Sequence, residues 1–235
     1  MLKTMWLRRC AQASRPSWIH NLTWKTWTFT RASAVRASCR PRLQVALFHR
    51  RGTNQRTLEQ FDQARQKYHD DWLRVAAVKL YIDDVIEPHT AALVEPYADR
   101  PGTHGELDYP PEEFKQVVSR LDRMKFQIFI HSIGDRGIRT ALDAIEYAEK
   151  QNGPRDRRDE LIHIECLNQQ DIPRFKQLGV IACMQPRHCA PDITGQWAKA
   201  VGPAGGSMPG RSAVCGIRGQ RLLSVPIGTS RRWSL

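Results

Sequence analysis

Residues 126–183 read FQIFIHSIGDRGIRTALDAIEYAEKQNGPRDRRDELIHIECLNQQDIPRFKQLGVIAC, and this stretch decides the fold. Short apolar runs alternate in it with longer runs whose apolar residues recur every three to four positions. The short runs predict strands at Phe126–Ile130, Leu161–Cys166 and Val180–Met184. Strands that alternate with helices predict a parallel sheet and an α/β fold.

The longer runs predict helices with identifiable ends. Asp135 is predicted to cap a helix that Asn152-Gly153-Pro154 terminates. Asn168 is predicted to cap a short helix that runs to Leu178. The apolar face of the first helix comprises Ile138, Ala141, Leu142, Ile145 and Ala148.

The pattern continues towards the N-terminus with a helix at Pro111–Met124 and strands at Leu43–Phe48 and Val75–Ile82. Five strands at this spacing fit either an open doubly wound sheet or a (β/α)₈ barrel. No GxGxxG turn and no P-loop follows a strand, which disfavours a nucleotide-binding sheet. A full barrel takes roughly 250 residues, so this chain of 235 residues predicts an incomplete one.

The charge is divided unevenly along the chain. The chain has 36 basic and 24 acidic residues, a formal charge of +12. Residues 1–58 and 195–235 contain no acid, so residues 59–194 carry all the acids and a net charge of −6. The basic character therefore belongs to the flanks, and no run approaches the roughly 18 apolar residues of a membrane-spanning helix.

We therefore divide the chain into a basic leader (1–40), a partial barrel domain (41–194) and an acid-free tail (195–235). The Arg- and Ser-rich leader has three readings: a mitochondrial transit peptide, a disordered basic arm, or an altered reading frame joined to a genuine domain. The six cysteines form no CxxC pair, which fits a reducing compartment. The expected location is the cytoplasm, with the mitochondrion as the alternative.

Three polar residues fall on or directly after predicted strands, where parallel α/β folds collect their chemistry. His131 follows FQIFI, His163 lies within LIHIEC and Lys79 lies within AAVKLYIDD. Two imidazoles on neighbouring strands, about 4.8 Å apart, can reach one metal ion at about 2.0–2.1 Å. Alternatively, both histidines are satisfied core or rim residues. A buried Lys79 could form a Schiff base or a metal-bridging carbamate, or could extend its stem to the rim.

The segments VKLYIDDVIEPHTAALVEPYADRPGTHGEL, FIHSIGDRGIRTALDAIE and LIHIECLNQQDIPRFKQLGVIACMQPRH resemble the amidohydrolase superfamily, and within it the YtcJ-like amidohydrolase family 3. The resemblance covers about residues 70–192. It implies a (β/α)₈ barrel and a hydrolase that cleaves carbon–nitrogen bonds of amides or formamides. The implied cofactor is one or two divalent metal ions, with zinc expected.

The resemblance also implies roles for particular residues. His131 matches the fifth-strand ligand of an H-x-IGD motif and His163 matches the sixth-strand ligand, although Ile162 replaces the Glu usual before it. Lys79 matches a fourth-strand lysine that can bridge two metals when carboxylated. The segment from Asp83 to Pro110 would form a loop over the site, with Asp84 standing where Gly is usual.

Two features of the family pattern are absent from the sequence. No two of the eight histidines lie two positions apart, so the first-strand His-x-His pair is missing. No Asp follows Asp192, so the last-strand general base is missing and no catalytic residue is identified. These departures and the acid-free flanks indicate a truncated or frame-altered member, with a catalytically inactive member as the alternative function.

The expected partner is a small-molecule amide. A basic nucleic-acid-binding module, using the Arg- and Trp-rich leader, is a less favoured alternative because the central domain is acidic. We expect neither nucleic acid nor a membrane as a partner. Unpaired sheet edges of an incomplete barrel predict self-association.

Overall fold

The computed structural model describes residues 17–22, 43–185, 197–202 and 211–213. The chain divides into two compact units. The first takes the described residues of Met1–Phe48 and Thr53–Ala77, and the second takes those of His49–Gly52 and Val78–Leu235. All the predicted site residues belong to the second unit.

The described residues of the first unit form parallel strands and a helix. Its elements are β1 (Ser17–Leu22), β2 (Leu43–Phe48), α1 (Gln55–Lys67) and the first half of β3 (Leu73–Tyr81). Strand β2 has the predicted bounds and pairs in parallel with β1. Helix α1 is absent from our sequence prediction, although Asn54 caps it by accepting the N–H of Thr57 (2.9 Å).

The second unit carries the alternation of strands and helices on which the fold class rests. Its elements are the end of β3, α2 (Pro111–Arg123), β4 (Gln127–Ser132), α3 (Asp135–Asn152), β5 (Glu160–His163), β6 (Cys166–Asn168), a 3₁₀ turn (Gln169–Asp171), α4 (Ile172–Gln177), β7 (Ile181–Cys183), the helical residues 197–201 and β8 (Arg211–Ala213). The α/β prediction is confirmed.

The strands of this unit form a sheet in the order β3, β4, β5, β7. Strand β5 pairs in parallel with β4 on one side and with β7 on the other. Parallel pairing brings the carboxyl ends of these strands to the same edge. Strands β6 and β8 form a separate antiparallel pair.

Helices α2 and α3 pack together through apolar stripes. On α2 the stripe consists of Phe114, Val118 and Leu121, all at most 1% exposed. On α3 it includes the five residues predicted from the sequence. The two acids in the first turn of α2, Glu112 and Glu113, complement its dipole.

Several strand ends differ from the prediction by one or two residues, and two predicted features are wrong. The predicted strand Leu161–Cys166 is interrupted after His163, because His163 (φ 82°) and Ile164 (φ 54°) leave the extended conformation. Asp135 does not cap α3: Gly134 occupies the cap position, and the carboxylate of Asp135 accepts the N–H of Val94 (2.8 Å). The Asn168 cap is confirmed, since its side chain accepts the N–H of Gln170 (3.0 Å).

A buried apolar cluster supports the long connection between β3 and α2. It consists of Ile86, Ala91, Leu93, Tyr97, Ile133, Cys166, Trp197, Ala200 and Val201. The helical residues 197–201 are held against this connection by a hydrogen bond from Ala98 N–H to the Ala200 carbonyl (2.7 Å). Among the described helices, none is long and apolar enough to cross a membrane.

Candidate functional site

His131 lies at the carboxyl end of β4 and is 5% exposed. Its ring stacks on the ring of Tyr81, with centroids 4.5 Å apart and planes 23° apart. Its Nε2 lies 3.3 Å from the carbonyl oxygen of Asp84. Because a carbonyl oxygen only accepts, Nε2–H donates and the lone pair of the neutral ring lies on Nδ1.

His163 reaches His131 by leaving strand geometry. In the sheet, His131 is paired with Ile162, and His163 is paired with Ser132. Successive side chains of a strand point to opposite faces, so a regular β5 would direct His163 away from His131. The positive φ of His163 breaks this alternation, and the two rings meet edge to face with centroids 4.5 Å apart.

The orientation of His163 is fixed from the opposite side of its ring. Its Nδ1 lies 2.6 Å from Oε1 of Gln185, an amide oxygen that accepts. Nδ1 therefore carries the proton, and the lone pair of neutral His163 lies on Nε2. A hydrogen bond at the far nitrogen is how proteins orient a metal-ligating imidazole.

Lys79 lies on β3 and is buried rather than extended to the rim, with 3% exposure. Its Nζ lies 4.8 Å from the centroid of the Tyr81 ring. Burial lowers the pKa of Lys79 to about 7, against the opposing effects of Cys183 and Glu160. Burial likewise raises the pKa of Glu160 to about 7, opposed by Lys79.

Tyr81 lies between Lys79 and His131 and contacts both, and our sequence analysis does not identify it. The available signal was its position two residues after Lys79, which places both side chains on one face of β3. A polar ring beside a strand lysine is therefore a pattern that could have revealed it.

Asp83 fastens the loop that begins after β3. Its carboxylate accepts backbone N–H groups of Ala92 (3.0 Å), Ile133 (3.0 Å) and Gly134 (2.8 Å). Burial raises the pKa of Asp83 to about 7, although these three hydrogen bonds oppose the shift. The loop is thus tied to the turn that follows His131, and its placement over a metal site stays a prediction.

Asp84 contributes to two features of the site. Its carbonyl contacts His131, whereas its carboxylate accepts the hydroxyl of Thr90 (3.1 Å). The same side chain lines a cleft of about 650 Å³ within the loop. The other lining residues are Pro88, His89, Thr90, Arg100, Gly102, Thr103, Gly105, Glu106 and Asp108.

The donor chemistry of two neutral imidazoles fits a divalent transition metal. Within residues 17–22, 43–185, 197–202 and 211–213, no three His, Cys, Asp or Glu side chains are grouped so as to hold an ion. Catalytic zinc normally takes three protein ligands. The described residues therefore bring together two candidate ligands and not a full set, and the assignment of Lys79, His131 and His163 as metal ligands stays a prediction.

Comparison with known proteins identifies the family. The sequence model that defines the amidohydrolase family matches residues 27–207, about three quarters of the chain. The chain belongs to the amidohydrolase family. The resemblance noted in its three motifs is thus confirmed, and Asp83, His131 and His163 lie inside the matched range.

Two curated relatives match about half of this amidohydrolase. Protein LONG AFTER FAR-RED 3 of Arabidopsis thaliana is 34% identical over 122 residues, which are 52% of this chain and 21% of that protein. Putative amidohydrolase YtcJ of Bacillus subtilis (strain 168) is 29% identical over 128 residues, which are 54% of this chain and 24% of that protein. The chain therefore matches less than a quarter of the length of either relative.

Two solved structures share the fold. Metal-dependent hydrolases from Pyrococcus furiosus and Pyrococcus horikoshii OT3 superpose with TM-scores of 0.63 and 0.64, at 24% and 21% identity. Each match covers 79% of this chain but only 36% and 35% of the solved chains. An incomplete fold of the (β/α)₈ barrel type, as predicted, agrees with this likeness.

Proposed function

We propose that this amidohydrolase contributes His131 and His163 to the metal centre of a hydrolase that cleaves carbon–nitrogen bonds of small amides or formamides. One observation carries the proposal: the two imidazoles meet at the carboxyl ends of adjacent parallel strands, at 4.5 Å between centroids. Family membership supports the same reaction class. The two solved neighbours are metal-dependent hydrolases, which supports a divalent metal as the cofactor, and zinc is the expected ion.

Each of the three residues would have its own role in the proposed hydrolysis. His131 and His163 would hold the ion through the ring nitrogens that Asp84 and Gln185 leave unprotonated. A bound divalent cation supplies acidity to a water and polarises the substrate carbonyl. Burial lowers the pKa of Lys79, and this favours the uncharged amine, the form that can add carbon dioxide and release a proton to give a carbamate.

Hydrolysis of an amide panel tests this function. The protein would be loaded with zinc and offered N-formyl and N-acetyl derivatives of aromatic amines, with amine release recorded by absorbance. We expect turnover that a chelator stops and that His131→Ala abolishes. His69→Ala is the matched control, because His69 is exposed and belongs to the first unit.

A second function has a specific observation in its favour. The described residues supply two imidazoles and no third metal-ligating His, Cys, Asp or Glu beside them. A catalytically inactive amidohydrolase would show this pattern. Absence of turnover on the whole panel, in zinc-loaded protein that is folded by circular dichroism, would favour this second function over the first.

A further inference from the structure

Helix α3 ends in an Asn-Gly pair, with Asn152 as its last residue and Gly153 at the cap position. This pair can deamidate with water as the only co-reactant. The Gly153 nitrogen forms a bond to the side-chain carbonyl carbon of Asn152, the C–N bond of the side-chain amide breaks, and the proton of the Gly153 nitrogen leaves with the ammonia. Water then opens the cyclic imide at either carbonyl to give aspartate or isoaspartate. Glycine favours the ring closure, because it has no Cβ to shield its nitrogen.

The backbone of the native state opposes this ring closure. The Gly153 N–H donates to the Glu149 carbonyl (3.0 Å), so its proton is held and the nitrogen faces the preceding turn of α3. Asn152 has helical backbone geometry, which keeps the next nitrogen away from its own side-chain carbonyl. The last turn of α3 must therefore open before the two atoms can bond.

The side chain of Asn152 is held separately, by residues of helix α2. Its Nδ2 donates to the Ser119 carbonyl and to Oδ2 of Asp122, both at 2.8 Å. Its Oδ1 accepts from Nε of Arg123 at 3.3 Å. Both ends of the amide are thus engaged by another element. Fraying of α3 alone does not release the amide, so the reaction requires α2 and α3 to separate.

Conversion of Asn152 to a carboxylate removes the donor on which these contacts depend. An oxygen in place of Nδ2 would face the Ser119 carbonyl and the fully buried carboxylate of Asp122, so two hydrogen bonds become repulsive contacts. Arg155 and Arg157 already donate to Asp122 and offset the added charge only in part. Isoaspartate also lengthens the backbone between α3 and these two arginines. Both products should therefore destabilise the native state.

We propose that Asn152 is a deamidation site that the native fold protects, and that its conversion in unfolded chains impairs their return to the native state. The same hydrogen bonds support both halves of the proposal, because they prevent the reaction and the product cannot form them. Prolonged unfolding therefore lowers the fraction of chains that refold. The proposal is independent of metal binding and of hydrolysis.

Peptide mass spectrometry of the full-length protein measures the protection. Folded protein in buffer and protein unfolded in guanidinium chloride would be incubated at pH 8, and the peptides that carry Asn152 and Asn54 would be quantified over time. We expect conversion of Asn152 to be about tenfold or more faster in the denaturant, because the folded chain reacts only from an opened state. Asn54, which precedes Gln55, is the internal reference and should convert slowly in both samples.

Gly153→Ala should slow the conversion of Asn152 in the denaturant, because a Cβ then shields the attacking nitrogen. Equal rates of conversion in buffer and in denaturant would overturn the proposal. The same rate in denaturant for the wild type and for Gly153→Ala would also overturn it.

A matched pair of variants measures the effect of the product. Asn152→Asp should lower the equilibrium constant for folding about tenfold or more, because the contacts with α2 lose their donor. Asn54→Asp makes the same chemical change where the side chain caps α1 as an acceptor from Thr57, and it should leave that constant unchanged. Guanidinium unfolding at pH 7 compares both variants with the wild type. Failure of Asn152→Asp alone to fold would support the proposal, and stability equal to that of Asn54→Asp would contradict it.

Discussion

At the scale of single residues, the site depends on a strained piece of backbone. His163 and Ile164 both have positive φ, and for a β-branched residue such as Ile164 this conformation is an outlier. The hydrogen bonds on either side hold it: Ile164 N–H donates to the Ser132 carbonyl (3.0 Å) and Cys166 N–H to the Ile133 carbonyl (2.9 Å). Strain of this kind is typical of functional sites, where surrounding structure stabilises it.

A second residue-scale property is the protonation of buried carboxylates. Asp159 is 2% exposed and accepts the N–H of Ile128 (2.8 Å). Burial raises the pKa of Asp159 to about 7, so the native state holds its proton more tightly than the unfolded chain between pH 4 and 7. The contribution of this group to the free energy of unfolding is therefore present at low pH and is lost as pH rises through 7.

Asp159→Asn should remove the part of the decline in the free energy of unfolding at rising pH that Asp159 causes. An asparagine keeps the oxygen that accepts from Ile128 and does not ionise, so the variant should gain stability over the wild type as pH rises. The gain should accumulate at up to about 1.4 kcal/mol per pH unit between pH 4 and 7. Urea unfolding at pH 4.5, 6 and 8 measures it, with exposed Asp156→Asn as the control. A difference that is the same at all three pH values would contradict the account.

At the scale of elements, α2 is fastened to the connection after α3 by a buried ionic cluster. Asp122 is fully buried and accepts hydrogen bonds from Arg155 (2.6 Å), Arg157 (3.0 Å) and Asn152 (2.8 Å). These hydrogen bonds hold the pKa of Asp122 below its usual range, although burial acts in the opposite direction. The cluster fixes the ends of α2 and α3 next to each other.

Asp122→Ala should destabilise the protein by about 3–5 kcal/mol, because it leaves two guanidinium groups without their buried counter-ion. Glu112→Ala, on the same helix, removes an exposed pair with Lys115 and should cost much less, because solvent screens exposed ion pairs. Chemical unfolding of both variants at pH 7 measures the difference. Equal losses would show that the cluster contributes no more than a surface ion pair.

The first turn of α3 is packed against the loop over the site. A Cβ on Gly137 would lie 2.6 Å from Oδ2 of Asp83, the carboxylate that fastens this loop. Alanine normally stabilises a helix by about 1 kcal/mol relative to glycine, but here the clash should reverse the sign.

Gly137→Ala should therefore lower stability by about 1–3 kcal/mol. Gly102→Ala, where a Cβ meets nothing within 4 Å, should change it by no more than about 0.5 kcal/mol. Thermal unfolding compares the two variants. A stabilised Gly137→Ala protein would contradict the contact with Asp83.

How far the sequence predicts these elements depends on the kind of signal. The strand Leu43–Phe48 and the helix from Pro111 are confirmed, because a continuous apolar run and an amphipathic stripe are local signals. Helix α1 was missed because its buried residues are only Leu58, Phe61 and Ala64 in a polar run. The break after His163 could not be predicted, since its positive φ opposes local preference and is imposed by contacts with β4.

At the scale of the whole molecule, the chain holds part of an amidohydrolase. It spans about a third of the solved neighbours and a smaller share of the curated relatives. Within that part, the ends of β4 and β5 bring His131 and His163 together and the loop after β3 adds an acidic cleft. The sequence predicts Lys79, His131 and His163 on or after strands and carries a signal for Tyr81 in its i+2 spacing from Lys79, whereas Gln185 and the cleft required the three-dimensional arrangement.

The measurement that tests this account most directly is the metal content of the purified chain. Protein exchanged into zinc-containing buffer and then desalted would be analysed by elemental mass spectrometry, beside the double variant His131→Ala, His163→Ala and the control His69→Ala. We predict that the wild type and the control retain zinc and that the folded double variant loses it. Equal metal content in all three proteins would contradict the assignment of the histidine pair as a metal centre.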